Sequence, residues 1–478
     1  MNKLLFLLLL SLCTLGEMAA IAQPLSYRYR VALRDKKGSP YSLLRPEEFL
    51  SPRAIERRAR FGFRLDEHDL PIPPAYLQAI QATGARVLNA SKWNNTVQIE
   101  VTDTTLRATV AALPFVRSTT MVYAPPKRKG IPTRDDSYRE NRAAIINTKV
   151  YKSSHPYGVA QTQNEMLQTH LLHQSGYKGK GLQIAVIDGG FYNVDLIPHF
   201  QSTRILSSRN FAHPDRSVYE ESHHGTMVLS CMAANSSHQL VGTAPEASYH
   251  LIVSEDTEAE YLGEEDNWCA AIEYADSLGA DLVNTSLGYH HYDAPQVELQ
   301  YAWLDGQTQL ISRSASLAAS RGLLLCQAAG NEGDDPWKKI AFPADAHHIL
   351  TVGAVDARRR NTAFSGVGHT ADGRIKPDAM AMGGLTKVID QTGKIVPSNG
   401  TSFACPVLAG AVACLWQAFP TATPHEIIKA VQQSSDRYQQ PNEVYGYGIP
   451  DLWKAYQLLQ QEQHHRQERI DRLTRDDW

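Results

Sequence analysis

The stretch Ser398-Asn399-Gly400-Thr401-Ser402-Phe403-Ala404-Cys405-Pro406 runs directly into the apolar segment 407–419. The glycine lets the chain turn sharply, and the small and apolar side chains that follow suit a buried helix. The pattern predicts that Ser402 lies at or near the helix N-terminus, where unpaired backbone N–H groups and the helix dipole favour negative charge. A lone serine in this position is most often a plain N-cap, so other residues must show whether it does more.

The apolar run could be mistaken for a membrane helix, because residues 403–419 are apolar except for Gln417. The run is at the short limit for a membrane span, and it contains Pro406, Gly410 and five alanines. A helix that is apolar on every side is equally typical of the centre of a large domain. We interpret the run as a buried helix and expect no membrane span in the mature protein.

The composition is that of a soluble globular protein of two or more domains, with 478 residues, 43% hydrophobic and 20% charged. The formal net charge of −3 gives no reason to expect nucleic acid or an anionic membrane as a partner. We expect a monomer. One basic cluster is most simply a solvated helix face, and its members are Arg53, Arg57, Arg58 and Arg60.

Residues 1–22 have the pattern of an export signal. Lys3 supplies a positive start, residues 4–15 an apolar segment too short to span a membrane, and Ala20-Ile21-Ala22 a small-x-small cleavage site. Cys13 follows a leucine instead of the small residue of a lipoprotein signal. We therefore expect cleavage without lipid attachment, and a protein that is secreted, periplasmic or on the cell surface.

Five cysteines remain after removal of that signal. An odd number leaves at least one unpaired, their neighbours are apolar, and the sequence has no CxxC pair. We expect buried small hydrophobes, not a disulfide framework or a structural zinc site. The five are Cys231, Cys269, Cys326, Cys405 and Cys414.

The segment 23–125 has the pattern of a small α+β domain. Apart from an extra helix predicted at 44–61, the order of elements is βαββαβ, which is ferredoxin-like. The strands are predicted at 27–33, 87–89, 96–101 and 116–123, and the helices at 74–83 and 104–113. The polar, basic stretch 126–160 has little periodicity and is predicted to be an exposed linker, where proteases cut.

From residue 161 to 460, short strand-like runs alternate with helical stretches, and a charged tail follows at 461–478. This alternation predicts a three-layer α/β domain with a doubly wound, mostly parallel sheet. Functional residues of such folds gather at the carboxyl ends of the strands. The strand-like runs are 182–187, 249–253, 282–285, 323–327 and 349–352, and the helical stretches are 226–234, 267–278 and 312–321.

Two polar residues in this domain, Asp188 and His224, are candidates for a functional site. Asp188 follows a buried strand, where an acid is costly to desolvate unless something pairs with it. It could hold a turn, whereas a nucleotide-binding loop is disfavoured because Gly179-x-Gly181 precedes the strand instead of following it. His224 in His223-His224-Gly225-Thr226 could be a cap, a metal ligand or a base. The metal interpretation is weakened, because neither a histidine nor a carboxylate stands at i+4.

Asn331 follows the apolar run 323–327 and comes directly after Gly330. Its amide could hold a turn, or it could donate a hydrogen bond to a developing oxyanion. In chain order, four residues then supply an acid, a base, an oxyanion donor and a nucleophile: Asp188, His224, Asn331 and Ser402. Each lies at the end of a predicted strand or the start of a predicted helix, so four weak signals indicate one site for nucleophilic catalysis.

Together these motifs resemble the subtilisin-like serine proteases, the subtilases. The resemblance covers roughly residues 160–458 and departs from the usual pattern at Gly189, where Ser or Thr is common, and at Cys405, where Ala is common. Neither is a catalytic group, so the resemblance implies an active enzyme with a subtilisin-like fold. The matching stretches are Ile187-Asp188-Gly189-Gly190, His224-Gly225-Thr226, Asn284-Thr285-Ser286-Leu287-Gly288, Ala328-Ala329-Gly330-Asn331 and Gly400-Thr401-Ser402-Phe403-Ala404-Cys405-Pro406.

The resemblance implies a role for each catalytic residue. Ser402 would attack the peptide carbonyl, His224 would take its proton, and Asp188 would orient the imidazole. The Asn331 side chain and the Ser402 backbone N–H would hold the oxyanion. No cofactor would be required for this chemistry. Calcium often stabilises the family, but no loop here shows its ligands, and we assign no metal site.

The resemblance also implies a substrate groove and an inhibitor. One edge would pair with an extended protein or peptide substrate as an added strand, and it consists of Ser286, Leu287 and Gly288. The opposite wall of the first specificity pocket would consist of Ala328, Ala329 and Gly330. The N-terminal domain would be a propeptide that assists folding and inhibits the enzyme, and we expect self-cleavage between Tyr123 and Gly158.

Two other classes of function remain to be compared. A catalytically inactive subtilase-fold binding or scaffold protein should lack a catalytic residue or the oxyanion asparagine, and none is missing. A metal-dependent hydrolase should have a cluster of ligands, and the sequence shows none.

Overall fold

The protein is described by a computed structural model over residues 25–125, 142, 146, 152–257, 259–293 and 295–476. The predicted export signal and most of the predicted linker lie outside these residues. The described chain forms two units, one from each side of that linker, and they are in contact with each other.

The N-terminal unit is an antiparallel sheet with short helices. Its strands are β1 (Tyr27–Leu33), β2 (Arg86–Ser91), β3 (Thr96–Val101) and β4 (Val116–Tyr123), and its helices are α1 (Pro52–Phe61), α2 (Pro74–Gln81) and α3 (Leu106–Ala111). The strands pair in the order β2-β3-β1-β4, and every pair is antiparallel. Val31, Val97 and Ile99 lie in its core without exposed surface. The ferredoxin-like order is thus confirmed, with α1 as the additional helix.

The helix predicted at 44–61 is shorter than expected. Only a single 3₁₀ turn forms at Pro46–Glu48, and α1 begins at Pro52. A proline disfavours helical geometry in the residue before it, and Ser51 is accordingly extended, with φ −66° and ψ 157°. The Ser51 hydroxyl accepts a 3.1 Å hydrogen bond from the Ala54 N–H and so caps α1.

The second unit is a three-layer α/β domain. Seven parallel strands form its main sheet. They are β5 (Gln183–Asp188), β6 (Arg204–Asn210), β9 (Ser248–Val253), β10 (Leu282–Thr285), β13 (Leu324–Ala328), β14 (Leu350–Val355) and β17 (Ala379–Met382). Their order across the sheet is β17-β14-β13-β10-β5-β9-β6. Four two-stranded ribbons are formed by β7 (Asn235–Ser236), β8 (Leu240–Val241), β11 (His291–Asp293), β12 (Gln296–Glu298), β15 (Gly368–His369), β16 (Ile375–Lys376), β18 (Thr386–Ile389) and β19 (Ile395–Ser398).

Helices cover both faces of this sheet, as the alternation predicted. Successive residues of β5 point to opposite cores: Ile184 packs with the helices α6 (His224–Ala233) and α9 (Thr401–Ala418), whereas Ala185 packs with α7 (Glu264–Leu278) and α8 (Leu310–Ala319). The remaining helices are α4 (Gln161–Met166), α5 (Thr169–Gln174), α10 (Pro424–Ser434) and α11 (Leu452–Asp476). All five cysteines named above are buried and unpaired.

Helix α9 is the apolar run that follows Ser402. Within the described part of the chain it is the one helix with the length and composition to cross a membrane, and 89% of its 18 residues are buried inside the protein. It packs against the sheet and α6, and it also contacts α4, α5, α10 and α11. The interpretation as a buried central helix is therefore the one that the structure favours.

The prediction of a solvated arginine face on α1 is wrong for Arg57 and Arg58, whereas Arg60 is exposed. Arg57 and Arg58 are only 1% and 2% exposed, because the helix lies against the second unit. Both guanidinium groups bind the carboxylate of Asp276 on α7, and a charge can be buried only beside such a partner. The sequence pattern of α1 gave no sign of this distant carboxylate.

The burial of α9 predicts that its apolar side chains contribute measurably to the free energy of unfolding. Replacing Leu408, which has no exposed surface, by Ala should lower the free energy of unfolding by about 2–5 kcal/mol through lost apolar contact and a residual cavity. Urea unfolding of the variant in a Ser402→Ala background measures this without self-digestion. The same change at Leu44, which is 90% exposed, should alter that free energy by no more than about 0.5 kcal/mol. Equal effects at the two positions would contradict the burial of α9.

Candidate active site

The four residues that the sequence singled out meet at one edge of the sheet. Asp188 is the last residue of β5, and Asn331 lies three residues beyond the end of β13. His224 is the first residue of α6, and Ser402 is the second residue of α9. The carboxyl ends of parallel strands and the helix N-termini that follow them lie on the same side of such a sheet, which explains how distant segments converge here.

Asp188 and His224 form a buried pair. The Asp188 carboxylate has no exposed surface, and its Oδ1 lies 2.7 Å from Nδ1 of the imidazole. The Gly189 N–H donates a second hydrogen bond of 2.8 Å to the same Oδ1. With Nδ1–H donating to the carboxylate, Nε2 of His224 is left as the proton acceptor.

Two opposing effects set the pKa of His224. Burial lowers it, because desolvation disfavours the cation, but the charge of Asp188 and the hydrogen bond to it outweigh burial, and the pKa is raised overall. The ring of Phe403 packs beside the imidazole, with centroids 5.9 Å apart. The imidazole is therefore held in one place and made a stronger base.

The glycine after His224 is required by close packing. A Cβ at Gly225 would lie 2.3 Å from the carbonyl oxygen of Gly190, which is closer than atoms can approach. The Thr226 hydroxyl then donates a 2.8 Å hydrogen bond to the Tyr192 carbonyl and ties α6 to the segment after β5. The motif His-Gly-Thr thus places the imidazole against the end of β5.

Ser402 lies at the start of α9 and is 7% exposed. Its hydroxyl donates a 3.1 Å hydrogen bond to the Ser286 carbonyl, and the Ser286 hydroxyl donates one of 2.9 Å to the Ser402 carbonyl. Across the described residues, the Ser402 N–H has no backbone partner. The hydroxyl must therefore turn away from Ser286 before His224 can take its proton.

The amide of Asn331 is oriented by the residue that precedes the serine. Its Oδ1 accepts hydrogen bonds from the Thr401 N–H at 2.8 Å and from the Thr401 hydroxyl at 3.0 Å. The Gly330 N–H in turn donates to the Thr401 hydroxyl at 3.2 Å. Because Oδ1 is occupied, the NH₂ group of Asn331 is directed elsewhere, as an oxyanion donor requires.

The two predicted walls of the substrate groove lie on either side of Ala341. A Cβ at Gly288 would lie 2.8 Å from the Cβ of Ala341, and a Cβ at Gly330 would lie 2.9 Å from the same atom. The segments after β10 and β13 therefore approach a common residue, which the sequence reasoning missed. No local motif marks Ala341, since it is brought there by the long loop between β13 and β14.

Sequence reasoning also missed two acids beside the site. Oε2 of Glu255 lies 3.5 Å from where a Cβ of Gly189 would be, and burial raises the pKa of Glu255, with the charges of Glu260 and Asp188 raising it further. Oε2 of Glu332 lies against Gly330, and burial raises the pKa of Glu332 to about 7. Either acid could have been found from the sequence, because each follows closely on the end of a predicted parallel strand.

The described residues contain no group of three or more His, Cys, Asp or Glu side chains placed to hold a metal ion. The site therefore consists of an acid–base pair, a hydroxyl at a helix N-terminus and an oriented amide.

Comparison with known proteins identifies this arrangement. A model of the subtilase family (Peptidase S8) matches residues 179–448, and a model of the Peptidase S8 propeptide domain of Bacteroidota matches residues 28–137. The fold and these matches define a serine-type endopeptidase with an N-terminal propeptide domain. The chain belongs to the subtilase family.

Individual relatives agree with this assignment. Subtilisin NAT of Bacillus subtilis subsp. natto is 29% identical over 310 residues, which are 64% of this chain and 72% of that protein. Serine protease AprX of Bacillus subtilis (strain 168) is 30% identical over 339 residues, 63% of this chain and 72% of that one. The structure of the MycP3 protease from the type VII (ESX-3) secretion system matches with a TM-score of 0.51 and 21% identity, over 64% of this chain and 90% of that chain. The last similarity concerns the fold alone.

The Asp188–His224 pair predicts a pH profile. The acid limb of kcat/KM marks the pKa of the free base, so Asp188→Asn should move that limb to lower pH and reduce kcat about 10⁴-fold. Peptide hydrolysis by the propeptide-free enzyme, matured in trans by the wild type, measures both. Asp215→Asn is the control, because the Asp215 side chain is 85% exposed and should leave the profile unchanged. A limb that does not move in Asp188→Asn would show that Asp188 does not set this pKa.

Proposed function

We propose that the protein is made as an exported precursor, cuts itself between its two units, and then hydrolyses peptide bonds through Asp188, His224 and Ser402. The observation that carries the proposal is the 2.7 Å contact between Asp188 and His224 at the same sheet edge as Ser402. The leader pattern of residues 1–22 supports export, and the matched propeptide domain supports synthesis as a precursor.

The first step forms an acyl-enzyme. The Ser402 hydroxyl leaves the Ser286 carbonyl and turns to Nε2 of His224, which takes its proton as Oγ attacks the carbonyl carbon of the substrate. Asp188 stabilises the imidazolium that results. The negative charge on the substrate oxygen is held by the NH₂ group of Asn331 and the Ser402 N–H, and α9 adds its positive N-terminal dipole.

The second half of the reaction releases both products. The imidazolium of His224 gives its proton to the leaving amine, so the peptide bond breaks and an ester on Ser402 remains. A water molecule then attacks the ester, with His224 accepting its proton, and the acid product leaves. These side chains supply every proton transfer, so we propose that catalysis needs no cofactor. We also propose that the protein is a monomer and that a calcium ion stabilises it, the latter as the resemblance implies.

The substrate lies extended between two segments. Its backbone pairs along Ser286, Leu287 and Gly288 as an added strand. The side chain before the scissile bond enters the groove towards Ala341, with the second wall made by Ala328, Ala329 and Gly330. The glycines support this arrangement, since they let both segments approach Ala341 closely: a Cβ at Gly288 or Gly330 would lie within 3 Å of the Ala341 Cβ.

The two other classes of function have less support. An inactive scaffold would have lost part of the site, whereas the acid, the base, the oriented amide and the serine all lie together. A metal-dependent hydrolase would need ligands in addition to His224, and its ring nitrogen Nδ1 is already bound to Asp188.

Self-cleavage is tested by sequencing the N-terminus of the purified protein. Wild type should begin at a residue between 124 and 158 after incubation, whereas Ser402→Ala should keep the N-terminal unit attached, because the nucleophile contributes about 10⁶ in turnover in a member of this family. Thr392→Ala, a hydroxyl change in a surface turn, should mature like wild type. Identical processing of Ser402→Ala and wild type would contradict self-cleavage by Ser402.

The oxyanion role of Asn331 is tested by steady-state kinetics. Asn331→Ala, matured in trans by wild-type enzyme, should lower kcat about 10²–10³-fold with little change in KM, because the lost donor acts mainly in the transition state. Asn235→Ala removes an exposed asparagine in β7 and should leave kcat unchanged. An effect confined to KM would show that Asn331 binds the ground state instead.

A further inference from the structure

The N-terminal unit contacts the second unit at two places. The first is its sheet, which lies on α7: the Val122 carbonyl accepts a 3.0 Å hydrogen bond from the Gly263 N–H, Arg30 binds Asp266, and the Ser91 hydroxyl donates to Glu273. The second is made by residues 41–70, the segment between β1 and α2 that contains α1. We call this segment the arm.

The arm is fixed by a buried network of charges. NH2 of Arg57 lies 2.5 Å from Oδ1 of Asp276, and NH2 of Arg58 lies 2.6 Å from its Oδ2, so one carboxylate of α7 binds two arginines. Arg57 also donates to the Ala280 carbonyl. Asp276 has no exposed surface. Burial raises its pKa, but the charges of Arg58 and Arg57 outweigh burial, and the pKa is lowered overall.

In the next part of the network the arm supplies the acids and the second unit supplies the arginine. Asp69 of the arm is fully buried and lies 2.9 Å from NH1 of Arg58. On its other side it accepts from Nε of Arg321, just after α8, at 3.3 Å. NH2 of Arg321 also donates to Asp66 at 3.0 Å. Arg321 of the second unit therefore lies between two acids of the arm, while Asp276 binds two arginines of the arm, and removing one partner would leave a buried charge unpaired.

Backbone and apolar contacts complete the anchor. The Ser51 N–H donates to the Ser277 carbonyl at 2.9 Å, and Arg53 donates to the carbonyls of Gly279 and Gly181 at 3.1 and 3.0 Å. Gly279 has φ +84°, and a Cβ there would lie 2.7 Å from the backbone nitrogen of Ala54. The ring of Phe61 stacks on Trp416, with centroids 6.0 Å apart. The arm thus fits its surface closely.

These contacts lie at the edge of the sheet opposite the active site. Gly181 precedes β5, Asp281, which binds Arg53, precedes β10, and Gly322, which lies against Phe63, precedes β13. Asp188, in contrast, ends β5. Six strand residues at ~3.3 Å each separate the two edges by about 20 Å. Trp416 is likewise fourteen residues beyond Ser402 on α9, about 21 Å at ~1.5 Å per residue.

We propose that the arm is a second anchor, which holds the propeptide on the enzyme as a separate chain once the linker is cut. Among the described residues, the arm's contacts lie away from the cleft. Release of the propeptide from the cleft and its dissociation from the enzyme are therefore two separate steps. The anchor rests on the arm contacts alone, and only its place in maturation rests on the proposed self-cleavage.

The test uses the full chain with Ser402→Ala, cut by limited trypsin digestion at the linker run Lys127-Arg128-Lys129. Size-exclusion chromatography over time then gives the rate at which the fragments separate. The unaltered arm should keep them together, also in the presence of excess peptide substrate that fills the cleft. The double variant Arg57→Ala and Arg58→Ala should separate at least a hundredfold faster, because a buried charge network mainly controls dissociation. Arg60→Ala, whose guanidinium bonds to Glu56 on the same helix, should stay within twofold.

Two further outcomes keep the test decisive. If the double variant does not fold, Arg53→Ala, whose side chain is partly exposed, should still accelerate separation at least fivefold. The anchor is refuted if the arginine variants separate no faster than Arg60→Ala, or if peptide substrate alone releases the propeptide. A wild-type protein that fails to cut itself refutes the proposed maturation and leaves the anchor measurement unaffected.

Discussion

The buried carboxylate of Asp188 is the constraint on which the catalytic site depends. A charge at the end of a central strand is stable only beside donors, and here these are the imidazole of His224 and the Gly189 N–H. For the imidazole to reach the carboxylate, α6 must begin against the end of β5, which requires glycine at position 225. Motifs that are separate in the sequence are therefore parts of one packing arrangement, in which Nδ1 of His224 binds the carboxylate and Nε2 does not.

Two long helices connect this site with the opposite end of the domain. Helix α9 presents Ser402 at its start and Trp416, which stacks on the propeptide arm, near its end. Helix α7 likewise binds the propeptide near its start, through Gly263, and near its end, through Asp276. The propeptide thus contacts the catalytic domain along the length of α7, and the arm contacts lie at the end away from Ser402.

The sequence predicted what local motifs specify. The alternation of strands and helices and the glycines near Asp188, His224 and Ser402 were enough for the fold and for the position of these three residues at one edge of the sheet. It failed where partners lie far apart in the chain: α1 looks solvated by its arginines, yet Asp276 is more than two hundred residues away. Edge strands β6 and β17 were missed for a related reason, since β6 is partly exposed and β17 has only four residues. Their pairing depends on neighbours that no local pattern reveals.

The central claim is that Ser402 is a nucleophile activated by His224, and covalent labelling tests it most directly. Mature enzyme should react with a fluorophosphonate to give one adduct, which peptide mass spectrometry places on Ser402. Labelling should persist in excess chelator and should be lost in His224→Ala, matured in trans, because the hydroxyl then has no base. An adduct on another residue, labelling that needs a metal ion, or undiminished labelling of His224→Ala would contradict the account.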